Sequence, residues 1–126
     1  MAKSDNFQSP DYYVLDNLLS EEHKLIRKTI RDFVKKEVSP IIEEVCQTCK
    51  FPAQILPKLG DLGCFGPFIP AQYGGAELDQ ISYGLIMQEL ERGDSGIRST
   101  ASVQSSLVMY PIYQYGSDSQ RAKYLK

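Results

Sequence analysis

One stretch limits the fold more than any other. After Ser20, apolar side chains recur at Ile26, Ile30, Phe33, Val34 and Val38, the three-and-four spacing of one buried helical face. Ser20 can accept a backbone N–H as an N-cap, and Glu21 and Glu22 lie where the positive end of the helix dipole favours acids. A helix with such a stripe needs partner faces, and the rest of the chain offers further helices rather than strands.

Ser39-Pro40 interrupts the stripe, and Pro40 at a first helical position would start a short second helix carrying Ile41, Ile42 and Val45. Pro52 would open a third with Ile55, Leu56, Leu59 and Leu62 inward, its first turns distorted by Pro57. Gly60, Gly63, Gly66, Pro67, Pro70, Gly74 and Gly75 mark loops and helix C-caps, and no helix fits among them. Asp79 is an N-cap for a helix through Arg92 with Ile81, Leu85, Ile86 and Leu90 inward. Gly93-Asp94-Ser95-Gly96 ends that helix and starts the next.

From Ile97 to Tyr115 the chain is rich in small residues and has mediocre helix propensity, so this segment must be held by packing. Pro111 would begin a separate piece of it. Ser117 to Gln120 forms a capping box for a last helix. The pattern predicts an all-α fold of about six helices with Gly/Pro-rich loops, one domain over residues 18–126. Residues 1–17 read as a mobile tail or a strap over the first helix.

Composition narrows the function. Apolar residues at 42% and charged residues at 24% fit a folded, water-soluble domain. Fourteen basic against sixteen acidic side chains lack the excess of a nucleic-acid binder. The polar N-terminus does not match a secretory signal or a transit peptide, no run reaches the length of a membrane span, and three cysteines do not suggest a disulfide framework. A reducing, cytosol-like compartment is expected.

Cys46-Gln47-Thr48-Cys49 has metal or redox spacing but neither the further ligands of a zinc site nor the preceding strand of a thioredoxin motif, so no metal is expected and the pair reads as ordinary helix thiols. The glycines at 60, 63 and 66 do not match a dinucleotide fingerprint. With one histidine and no paired carboxylates in a pocket pattern, no catalytic site can be assembled from the chain itself.

Arg98 stands apart. On a helix it shares a face with Ser102 and Ser105, and its planar fork of donors suits a carboxylate or phosphate. The same spacing also allows a structural role, a salt bridge to Asp94 one turn earlier.

The run from Tyr83 through Glu91-Arg92-Gly93-Asp94-Ser95-Gly96-Ile97-Arg98-Ser99, with Ser102 to Val108 after it, resembles acyl-CoA dehydrogenases, specifically their glutaryl-CoA dehydrogenase branch. Leu62 to Pro67, Tyr73 to Ala76 and Tyr115 to Leu125 carry it further, over about residues 15–126. The resemblance implies the helical N-terminal domain of a three-domain enzyme that assembles as a homotetramer around FAD. The complete enzyme would remove an α-proton from an acyl-CoA, pass hydride to flavin and hand electrons to an electron-transfer flavoprotein.

The catalytic glutamate and the flavin motifs would lie in other domains, so this chain alone is expected to be inactive and to bind no FAD. By the resemblance Arg98 and Ser99 bind the far carboxylate of a glutaryl chain, and Ser102 lines the acyl pocket. Ile97 stands where relatives often carry an aromatic, and Tyr110 where histidine is expected. A dehydrogenase of other chain preference and a free-standing helical interaction module are the alternatives.

Overall fold

In a computed structural model, residues 11–125 are described, and their regular structure is all helix, with no strand among them. The helices are α1 (Glu21–Phe33), α2 (Ile42–Thr48), α3 (Ile55–Asp61), α4 (Gln80–Gly93), α5 (Ser95–Ser102), α6 (Tyr110–Tyr115) and α7 (Asp118–Tyr124). Helix α1 runs on through a π-helical segment, Val34–Val38, and a second such segment, Val103–Met109, fuses α5 and α6 into one rod. Counted as rods, the described residues form six.

Three helix starts follow from local chemistry. The Ser20 hydroxyl accepts the His23 N–H at 3.1 Å, and the Ser20 N–H donates to His23 Nδ1 at 3.3 Å. Asp79 caps α4 by accepting from Ser82 at 2.7 Å, and Ser117 closes its predicted box with Gln120. Each cap satisfies a donor that the helix cannot satisfy itself.

Helix α1 packs most extensively on α4. The core joins Ile30, Val34 and Val38 to Ile55 and Leu59 of α3, Cys64, Ile86 and Leu90 of α4, and Ile97 and Ala101 of α5. Gly93 lets the end of α4 lie against Val34: a Cβ there would lie 2.5 Å from Val34 Cγ1. Desolvation inside this core pushes the Cys64 thiol up to about 12.

Several expected boundaries move. Helix α3 begins at Ile55, which makes Pro57 a first-turn residue whose missing N–H breaks no helical bond, so it needs no distortion. Pro40 lies in a turn two residues ahead of α2. Pro111 stands in the first turn of α6, as expected of a segment start, but the helix is not detached, because the π register before it carries the backbone on without a break. A short 3-10 turn, Ala71–Tyr73, forms inside the glycine-rich loop. In α4 the inward stripe is Ser82, Ile86, Glu89 and Leu90, whereas Ile81 is exposed.

Residues 1–10 of the expected tail lie outside the described residues. Leu15–Leu18 form a 3-10 turn, and Asp16 receives both arms of Arg27 at 2.6 and 2.8 Å, which ties this segment to α1. No helix among the described residues is long and apolar enough to cross a membrane.

Candidate functional site

Asp94 does not pair with Arg98. Its carboxylate caps α5, accepting the Ile97 N–H at 2.9 Å. Arg98 reaches back two turns instead. Its Nε donates to Glu91 Oε2 at 2.5 Å, and its Nη1 donates to the Ser102 hydroxyl at 3.3 Å. Ser95 donates to the other oxygen of Glu91 at 2.6 Å. The guanidinium first, and the Ser95 hydroxyl second, hold the Glu91 carboxyl below its ordinary range.

The Arg98 side chain is 34% exposed, so it is fixed by two partners yet open to solvent on one flank. Two contacts leave this donor fork with capacity to spare. Ser102 spends its proton on the Ser99 carbonyl at 3.1 Å and offers Arg98 a lone pair. In this arrangement Ser102 orients the arginine.

Ser99 faces elsewhere. With Leu56, Phe65, Thr100, Val103 and Gln104 it lines an open, mostly apolar groove of about 610 Å³ between α3 and α5. The structure therefore brings Arg98 and Ser102 together and sets Ser99 apart from them, on the wall of a groove that neither of them lines. Ser105 leaves the Arg98 face altogether. The π register beginning at Val103 rotates later side chains relative to a 3.6-residue turn, and Ser105 becomes fully buried. There its hydroxyl accepts the Gly66 N–H at 2.8 Å and sits 2.7 Å from the Ala101 carbonyl, which pins the loop carrying Phe65.

Two acidic residues escaped sequence reasoning. Glu91 lies seven residues before Arg98, a separation that returns to the same helical face, but the break at Gly93–Asp94 hides that relation. Glu89 is fully buried and holds Arg31 of α1 bidentately, at 2.9 and 2.8 Å. Its clue was a charge at a position on the inward face of α4.

Cys46 and Cys49 are exposed free thiols at the end of α2. Among the described residues no group of three or more His, Cys, Asp or Glu could hold a metal.

The fold defines the class: an all-helical domain whose last long rod displays Val103, Leu107, Val108 and Tyr110 to the outside. The particular family is then plain. Residues 20–126 match the acyl-CoA dehydrogenase N-terminal domain, and the chain belongs to that family. A 3-(aryl)acrylate reductase of Clostridium sporogenes is 41% identical over 107 residues, 85% of this chain and 28% of the relative.

Among solved structures, a glutaryl-CoA dehydrogenase from Mycobacterium smegmatis in complex with FADH2 superimposes with a TM-score of 0.86 at 39% identity. It covers 90% of this chain and 29% of its own. Butyryl-CoA dehydrogenase from Megasphaera elsdenii gives 0.79 at 30% identity, over 85% and 29%. The chain thus spans little more than a quarter of the length of these relatives.

Proposed function

We propose that this chain is the acyl-side domain of a flavin-dependent acyl-CoA dehydrogenase acting on glutaryl-CoA, with Arg98 receiving the far carboxylate of the acyl chain. The observation that carries this reading is the setting of Arg98: held on Nε by Glu91, steadied by Ser102, still 34% exposed, and next in sequence to Ser99, which lines the apolar groove. A guanidinium fixed in advance binds a carboxylate without first losing its own rotamer freedom. The apolar stretch of Leu56, Phe65 and Val103 suits methylene groups, and Ser99 adds a hydroxyl to the same wall.

FAD would supply the hydride acceptor in the complete enzyme. Its diphosphate calls for a glycine-rich turn or a basic cradle, and the lining of this groove carries no cation, so these residues do not fit the flavin. In this reading the other domains hold it, the enzyme assembles as a tetramer, and an electron-transfer flavoprotein takes the electrons.

The test uses the full-length protein. Arg98→Ala is expected to lower kcat/KM for glutaryl-CoA by roughly 10–100-fold, the scale of a lost charge-assisted hydrogen bond, and to spare butyryl-CoA. Equal losses on both substrates would remove the carboxylate role.

A second reading rests on the ion pair itself. If Glu91 keeps Arg98 as a helix-to-helix tie, the enzyme prefers a monocarboxylic chain, as the name of the Megasphaera relative says of that protein. Arg98→Ala would then weaken folding more than substrate choice.

A further inference from the structure

The Cys46–Cys49 motif is absorbed neither by the fold nor by the carboxylate site. Helix α2 buries none of its residues, and every residue from Cys46 to Phe51 is exposed. Little packing therefore opposes a change at this helix end. Cys49 has left the helix in a left-handed conformation, φ 53 and ψ 33, and its Sγ turns back over the last turn to lie 3.7 Å from the Cys46 carbonyl oxygen. Residues three apart on such a turn have Cα atoms about 5 Å apart, inside the range a disulfide requires. A side-chain rotation and a loosening of one exposed turn would bring the sulfurs together.

We infer that Cys46 and Cys49 form a reversible dithiol–disulfide site that reacts with small-molecule disulfides of the glutathione class. The thiolate of one cysteine attacks a sulfur of the small disulfide, whose S–S bond breaks and releases one small thiolate. The other cysteine thiolate then attacks the protein sulfur of the mixed disulfide, and the second small thiolate leaves. Two protein thiols lose two electrons, one small disulfide gains them, and both protons end on the departing thiols.

Cys64 is the internal control. It is fully buried in the core, and burial holds its thiol near 12, so it offers almost no thiolate to any reagent.

The chain, folded and at mildly alkaline pH, is incubated with excess glutathione disulfide, quenched with acid, alkylated and read by intact and peptide mass. The expected product has lost two hydrogens, carries a Cys46–Cys49 link, returns to the dithiol with dithiothreitol, and leaves Cys64 to be alkylated only after denaturation. Cys46→Ser and Cys49→Ser, both at exposed positions, are each expected to stop at one glutathione adduct on the remaining thiol. Persistent adducts on the wild-type pair without ring closure, or thiols that stay reduced throughout, overturn the inference.

Discussion

The α1–α4 pair and the α5–α6 rod solve the same packing problem in opposite ways. In α1 and α4 the inward positions are filled by Ile30, Val34, Val38, Ile86 and Leu90, and the one buried carboxylate, Glu89, is matched by Arg31 across the interface. The rod spends few large side chains inward. Ile97, Ala101 and Ser105 are buried, while Val103, Leu107, Val108 and Tyr110 face out. Its hydroxyls at Thr100, Ser102, Ser105 and Ser106 all turn back on the carbonyls of the preceding turn. Side-chain bonds of that kind loosen a helix, and this rod widens into a π register over Val103–Met109. One region is built to hold the domain together and the other to present a surface.

The comparison breaks most visibly at Glu89. Glu89→Ala removes the buried carboxylate that Arg31 and Arg92 both face and is expected to cost roughly 3–5 kcal/mol, toward the lower end because Arg31 keeps some contact with water. Chemical denaturation of the chain measures it, and a loss under about 1 kcal/mol would mean the pair is not the clamp described. The rod's counterpart is Ser105→Ala, which strands the Gly66 N–H in the core. About 1–3 kcal/mol is expected, with faster amide exchange at residues 64–66 as the local sign.

A smaller effect sharpens the α1–α4 side through pH. Asp79 caps α4 and meets His23 Nε2 at 2.8 Å, so one imidazole links the starts of both helices. The Ser82 backbone N–H, and after it His23, holds the Asp79 carboxyl at about 2, below the ordinary 3.8. The folded state therefore binds this proton less readily than the unfolded one. The contribution is complete above the ordinary value and disappears as pH falls from there toward about 2. Wild type should lose stability across that window more steeply than Asp79→Asn, and the two acid-unfolding curves should converge at its lower end. Parallel curves would rule the linkage out.

What was legible in the sequence was mostly local. Ser20, Asp79 and Ser117 could be read as helix starts because a cap and its donor lie within three residues of each other. The α1 stripe was equally readable, since Ile30, Val34 and Val38 recur on a helical period and are all buried. The Glu89–Arg31 pair spans 58 residues, and no local pattern foretells it. The π segment Val103–Met109 escaped for another reason: it has no local sequence signature, and it moves Ser105 off the face that ideal periodicity gives it.

Arg98 was singled out from its residue type and small neighbours. Spacing points to Asp94 as its partner, but that carboxylate is spent as the α5 cap and Glu91 takes the guanidinium. The identity of Glu91 as partner matters to the proposal, since an arginine already oriented by one carboxylate is ready to meet another.

The most direct test is a ratio measured on the full-length protein with two substrates of equal length, glutaryl-CoA and pentanoyl-CoA. Arg98→Ala is expected to collapse the kcat/KM preference for the carboxylated chain by roughly 10–100-fold. The thermal midpoint of the chain is expected hardly to move, because partly exposed ion pairs contribute little to folding. A preference that survives the substitution, or a midpoint that falls as far as it does for Glu89→Ala, would contradict the carboxylate role and return Arg98 to the structural half of the molecule.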